Sequence, residues 1–453
     1  MPSFGRQHVH PSGQTGHRQG LVEPALVILL VWMSLELVRP SFTSRLPMLI
    51  SLASLALWIP RKEKQLGRTG HWWFVMLAGM GLMIPFAINN YASFYGTQLV
   101  ATLFLTHCLP VQSLLRESRD VRAWVLVFLG ITVYIGAWAA THGGYGPAGA
   151  AGAQDENYVS ALMTMAVPFV YFQLLNEKRF VWRVLLTAAL VIFVAAIALA
   201  DNASRGAFLA LCCVGVYIVL RSPRKQFAVG ILGVIGIALL VTAGPAFWAE
   251  IGTTAEFEEG TGDLRLRAWK GGFRMWLAHP ILGVGPGNFT WQLGNYETAL
   301  EVQELGRSLG GAMVAHSMWV ELLADLGLVG VVATFALGWG AWSNLETSSR
   351  EAARLAKLHP GVPVFAELQS MSYAVQCALL AIAVNGLVLS LLYFAHFWIL
   401  VAVGNAMPYV VARTAGTHAG GGGAKRMNTG RGPPATARGR DPKHLVRARR
   451  SET

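Results

Sequence analysis

The chain has 453 residues, of which 54% are hydrophobic and only 13% charged, with a formal net charge of +12. A soluble domain normally carries about 25% charge, so this balance excludes one. It fits a chain that lies mostly in lipid, where apolar runs of about 20 residues must close their own backbone hydrogen bonds as helices.

Residues 1–20 form a polar head with Arg6 and Arg18. The first apolar run, 21–38, ends in SLELVRP without a small-residue cleavage site. It reads as a retained span and not as a cleaved signal peptide. Further runs follow at 43–60, 71–88, 95–114, 122–140, 157–175, 181–200, 204–220 and 226–247. A polar loop, 248–312, separates them from runs at 313–342, 372–391 and 394–412. The expected fold is all-α and polytopic, with about 12 transmembrane helices and one large loop. Pro47 shortens the second run, and the run 313–342 is long enough to include an extra-membrane turn. Residues 413–453 are rich in Gly, Pro and basic side chains, supply +8 of the net charge and cannot bury a core. They read as a disordered basic tail against anionic lipid; no aromatics are interleaved as nucleic-acid contact would require.

Basic residues mark alternate loops. Arg61, Lys62, Lys64 and Arg68 follow the second run, Arg116, Arg119 and Arg122 the fourth, and Lys178, Arg179 and Arg183 the sixth. Arg221, Arg224 and Lys225 follow the eighth, and Arg350, Arg354 and Lys357 the tenth. The short opposite loops hold only Arg39, Arg45 and Arg205. Basic loops stay cytoplasmic, so both termini are expected inside and the loop 248–312 outside. The four cysteines, Cys108, Cys212, Cys213 and Cys377, lie in or beside apolar runs and read as packing residues.

The external side carries the chemistry. In DLRLRAWKGGFRMWLAHPILGVGPGNF, helical periodicity groups Leu266, Trp269, Phe273, Trp276 and Leu277 on one side and Arg267, Lys270 and Arg274 on the other. That is an amphipathic helix suited to the membrane interface. Arg265 falls on the apolar side, where its guanidinium needs an anion: either Asp263 or a pyrophosphate, whose oxygens match the planar fork. Pro280 ends the helix and a glycine-rich turn, Gly283 to Gly287, follows; without a βαβ unit it is no dinucleotide fingerprint. In ADNASRGAFLAL, Ser204 can cap a helix opened by Arg205, whose charge either snorkels to headgroups or serves a ligand.

AHSMWVELLADLGLVG puts His316 at the threshold of a span. An imidazole exchanges protons near neutral pH, or simply bonds a helix-end carbonyl. Glu321 and Asp325 share a different helix face and cannot orient the imidazole; either they pair with arginines on other spans, or Asp325 nears the cytoplasmic half beside Gly327. Asp155 and Glu156 in DENY stand where acids favour a helix N-terminus. No ligand cluster suggests a metal, and no cofactor is expected. Two fixed cations, Arg205 and Arg265, with one proton acceptor, His316, suit transfer to a hydroxyl with an anionic leaving group.

RLRAW…HPILGVGPGNF leading to AHSMWVELLADLGLVG, with SRGAFLAL upstream, resembles the bacterial O-antigen ligase and polymerase superfamily of membrane glycosyltransferases. DENYVSALMTMAVP is similar to a segment of its O-glycosylation-ligase-like members. The resemblance covers roughly residues 155–340. It implies a metal-independent, inverting enzyme taking a glycan from polyprenyl pyrophosphate at the periplasmic face of the inner membrane. The acceptor hydroxyl would belong to lipid A-core, a protein or another glycan. It also implies that His316 is the base and that Arg265 and Arg205 hold the pyrophosphate. Arg267 has no counterpart and is left as a secondary headgroup contact. Ligases of this kind often carry His-Asn where this chain has His316-Ser317, a difference that bears on the acceptor. A polymerase using lipid-linked repeat units fits the same residues. A flippase for the lipid-linked glycan is the alternative of another class, although the two halves show no repeat.

Overall fold

The computed structural model describes residues 23–38, 46–61, 64–67, 69–150, 153, 155–200, 204–245, 248 and 261–426. The cytoplasmic head expected over 1–20 lies outside them, as do Arg39 and Arg45, most of 246–260, and the tail beyond Arg426. The chain divides into a unit of Met1–Thr414 and a unit of Ala415–Thr453. All described secondary structure is helical, and the chain is an all-α polytopic membrane protein.

The helices are α1 (Pro24–Val38), α2 (Leu46–Trp58), α3 (His71–Met83), α4 (Asn90–Leu103), α5 (Leu109–Leu114), α6 (Ser118–Thr141), α7 (Glu156–Asn176) and α8 (Phe180–Ala198). They continue with α9 (Arg205–Arg221), α10 (Lys225–Thr242), α11 (Thr261–Ala278), α12 (Ala299–Leu305), α13 (Met318–Leu358), α14 (Val364–Asn385) and α15 (Ala395–Arg426). Among the described residues, seven helices are long and apolar enough to cross a membrane: α6, α7, α8, α10, α13, α14 and α15. α1, α2 and α3 are shorter and apolar. Between α4 and α5 the chain forms a π-helical segment, Phe104–Cys108. Pro110 explains it, because proline cannot donate to an α-helical bond and clashes with the preceding turn.

Three helices differ most from the hydropathy reading. The tenth run begins at Met318 and continues to Leu358. The eleventh begins at Val364, because its polar first turns hide the helix from a hydropathy window, and gives way to a turn after Asn385. The last helix passes Arg413 and reaches Arg426, with no proline to stop it over that stretch. The four cysteines are free; Cys108 and Cys377 are buried, whereas Cys212 is exposed.

α14 lies at the centre, packed on α7, α9 and α13, while α13 also contacts α3 and α11. Aromatic stacking locks the neighbouring layer: Trp73 lies 4.7 Å from Phe104 and 4.8 Å from Trp398, centroid to centroid. In lipid such packing holds helices together, since apolar surface gains little by leaving acyl chains.

Candidate functional site

α13 is broken. Gly327 has φ 58° and ψ −158° inside it, a conformation reserved for glycine. The turn Pro280–Phe289 fills the break. Leu328 N donates to Pro280 O at 2.8 Å and Val329 N to Ile281 O at 3.0 Å. Val284 N donates to Ala324 O at 2.8 Å and Gly285 N to Asp325 O at 3.0 Å. The groups freed by the break are thus satisfied by the turn, the condition for irregular backbone at membrane depth.

Asp325 fastens this arrangement. It is fully buried, and its Oδ1 accepts from Phe289 N at 2.8 Å. Its Oδ2 accepts from Gly287 N at 2.8 Å and from the Tyr393 hydroxyl at 2.9 Å. The arginine partner expected for Asp325 from sequence is replaced by backbone N–H groups of the glycine-rich turn, which helical periodicity alone could not place there. Asn288 ties the same turn to α4, accepting from Asn89 N at 2.9 Å and donating to Ser93 Oγ at 2.8 Å.

α11 rests on this platform by a third face. Ala268 and Met275 are buried against Phe289, Leu293 and Ala315. A Cβ on Gly272 would stand 2.6 Å from Val320 Cγ1, so only glycine lets α11 approach α13 this closely. Of the side read as apolar, Leu266, Phe273 and Leu277 are 40%, 51% and 60% exposed, as a face toward the membrane interface would be, while Trp269 and Trp276 are half-buried. The basic stripe docks on α12. Arg274 grips Glu301 with both terminal nitrogens, at 2.7 and 2.8 Å. Arg267 donates to Asp263 Oδ2 at 2.8 Å, Glu301 O at 2.9 Å and Glu304 Oε2 at 3.1 Å. The guanidinium of Arg267 therefore ties α11 to α12.

His316 stands where α11, α13 and the α14–α15 turn meet. It has φ 46°, the one described non-glycine residue with positive φ. Such backbone costs energy for a residue with a Cβ and persists only when its surroundings fix it. Both neighbours are fixed. Trp269 Nε1 donates to Ala315 O at 2.8 Å. Ser317 caps α13 by accepting from Val320 N, while Met318 N donates to both Gly386 O and Leu389 O at 2.8 Å. Among the described residues the imidazole itself makes no hydrogen bond, so no helix-end carbonyl claims it.

Arg265 acts electrostatically on His316 and on Tyr158, and Asp155 acts on both as well. Asp155 also caps α7, accepting from Asn157 N at 2.8 Å. Arg205 opens α9 behind Ser204, whose side chain accepts from Ala207 N at 3.3 Å. A Cβ on Gly206 would lie 2.3 Å from Val388, so the α9 N-terminus presses on the turn that anchors Met318. Arg265, Asp155, Tyr158 and His316 form one electrostatic cluster, and Gly206, the residue after Arg205, packs on Val388 of the nearby turn. Glu321 takes a bond from the Leu392 backbone, and its Oε2 has no hydrogen-bond partner among the described residues.

Burial first, and then the positive charge of Arg265, lower the pKa of His316 from 6.5, while Asp155 opposes them. The ring is thus neutral at pH 7 and able to accept a proton. If it serves as the base, activity should persist to pH values below 6.5 and fall only in more acid solution. Asp155→Asn keeps a capping side chain but removes the charge that raises this pKa. Its acid limb should move to lower pH; an unmoved limb in the pH profile of transfer would separate Asp155 from His316.

Residues 190–335 match the O-antigen ligase family. The chain carries an O-antigen ligase domain. A comparison with curated proteins finds no match. The O-antigen ligase match includes Arg205, Arg265, Arg267, His316, the glycine-rich turn and Asp325. It excludes Asp155 and Tyr158 on its N-terminal side and Tyr393 on its C-terminal side. Asp155 had a signal in DENY, read as a helix start and as part of a segment similar to O-glycosylation-ligase-like members, but not as a partner of His316. Tyr393 had none, since a tyrosine between two apolar runs resembles any interfacial aromatic. Among the described residues no three His, Cys, Asp or Glu side chains group as metal ligands would.

Proposed function

We propose that this protein transfers a glycan from polyprenyl pyrophosphate to an acceptor hydroxyl at the periplasmic face of the inner membrane. The O-antigen ligase domain and the polytopic architecture support glycan transfer of this kind. The observation that carries the assignment of roles is the coupling of Arg265 to a neutral His316 held in left-handed backbone. In this reading α1–α3, the joined α4–α5, α6–α10 and α13–α15 make twelve spans, with both termini cytoplasmic. The loop 248–312 and His316 then face the periplasm, leaving 413–453 inside.

The reaction is a single displacement. The acceptor oxygen attacks the anomeric carbon as its proton passes to a ring nitrogen of His316. The bond from that carbon to the phosphate oxygen breaks, and its electron pair leaves with the polyprenyl pyrophosphate. Arg265 and Arg205 hold the pyrophosphate and offset the charge growing on it. Inversion at the anomeric carbon follows from one attack on the opposite face.

Arg265→Ala should lower transfer about 10²–10³-fold, the usual effect of losing one donor to developing charge, with insertion unchanged. Purified protein that transfers normally after this substitution would exclude the role. In cells carrying His316→Ala, the glycan left on polyprenyl pyrophosphate identifies the acceptor class. Long chains accumulate if the protein is a ligase, and single repeat units if it is a polymerase. Loss of lipid-linked glycan from the periplasmic side would instead indicate a flippase.

A further inference from the structure

Far from His316 in sequence, the start of α6, the α7–α8 connection and the start of α14 enclose a cavity of about 300 Å³. Its polar wall contains Arg122, Gln173, Lys178, Arg179 and Glu367, with Trp182 beside them and Leu126 and Leu186 leading into the apolar zone. Two of the three cations are neutralised in place. Arg122 pairs with Glu367. Arg179 binds Glu177 through Nε and a terminal nitrogen, each at 3.2 Å, and lies 5.5 Å from the Trp182 ring centre. Glu177 also accepts from the backbone N–H groups of Lys178 and Arg179 at 2.9 Å. Lys178 makes no ion pair among the described residues, and Gln173 Nε2 is shielded from solvent without a hydrogen-bond partner among them.

We propose that this cavity binds one monoanionic phosphate ester, with Lys178 supplying the countercharge and Gln173 Nε2 a hydrogen bond to a phosphate oxygen. The net charge of the wall is that of Lys178 alone, which suits a single negative charge. The position also suits a headgroup: basic pockets between helices at a membrane surface hold anionic lipid heads, and tryptophan favours that level. Leu126 and Leu186 would then lie along the first methylenes of the acyl chains. This inference goes beyond glycan transfer and uses none of its residues.

The test is native mass spectrometry of the full chain released from nanodiscs containing equal phosphatidylglycerol and phosphatidylcholine. Phosphatidylglycerol should be retained preferentially. Lys178→Gln should reduce that retention about fivefold, the weight of one basic residue at a membrane surface, and Lys178→Arg should preserve it. Gln173→Leu should weaken retention without changing the helical content. Lys357→Gln, away from the cavity, serves as control. Glycerophosphoglycerol, the soluble monoanionic diester that matches the head of that lipid, added to lipid-free detergent protein separates the sources. If it binds at Lys178 as well as the lipid does, the site takes a soluble phosphate ester; if only the lipid binds, it is a lipid site. Equal retention of both lipids with no glycerophosphoglycerol binding, or binding indifferent to Lys178→Gln and Gln173→Leu, overturns the proposal.

Discussion

His316→Asn should cut glycan transfer by roughly 10²–10⁴-fold, the range contributed by a positioned general base. Asparagine is the informative replacement. Residue 316 has φ 46°, and asparagine tolerates left-handed backbone far better than most side chains. The carbonyl of Ala315 keeps its bond from Trp269, and Ser317 keeps its cap on α13. The substitution therefore removes the proton acceptor and leaves the loop in place. His316→Ala removes both the base and the tolerance for this backbone, so it should lose about 1 kcal/mol of stability as well. Transfer by purified protein, measured with lipid-linked glycan and alongside thermal unfolding, distinguishes the effects. An asparagine variant retaining more than about a tenth of wild-type transfer would leave no room for His316 as the base.

Much of the fold was legible because lipid imposes one solution on an apolar run: each run found in the sequence overlaps helical structure, the fourth as two helices joined by a π-helical segment. The helix ends were less legible. Hydropathy sees side chains, and the first turns of α14 are polar although helical, while 313–315 is apolar although a loop. The candidate site was legible where charge stood out against an apolar background, at Arg205, Arg265 and His316. It was illegible where partners come from distant elements. Periodicity placed Asp325 on the helix face with Glu321 but could not show that the helix breaks two residues later. Nor could it show that the turn after α11 enters that break. The amphipathic reading of α11 likewise described two faces of a helix that uses three. Ala268 and Met275, too small or too sparse to register in the pattern, are the residues that bury it.

Asp325→Ala should be the most damaging substitution to stability, at about 2–6 kcal/mol, the cost of leaving two buried donors without their acceptor. It would leave Gly287 N, Phe289 N and the Tyr393 hydroxyl with their shared acceptor gone. Each such group costs about 1–3 kcal/mol when buried without a partner, although Gly287 N retains its 2.8 Å bond to Tyr393. The turn Pro280–Phe289 would then hold the break in α13 through backbone bonds alone. α11 rests on Phe289 and on Val284 of that turn, so Arg265 should lose its place relative to His316, and transfer should fall with stability. Tyr393→Phe is the graded control. It removes one hydroxyl, keeps both carboxylate oxygens on the turn, and should cost only about 1 kcal/mol. Thermal unfolding in detergent, paired with the transfer assay, checks both. If Asp325→Ala unfolds at the wild-type temperature and transfers normally, the turn is held by its glycine backbone without the acid. If it is destabilised as expected and Tyr393→Phe is nearly silent, the carboxylate inside the span is there to hold a loop in a broken helix, and through that loop to fix Arg265.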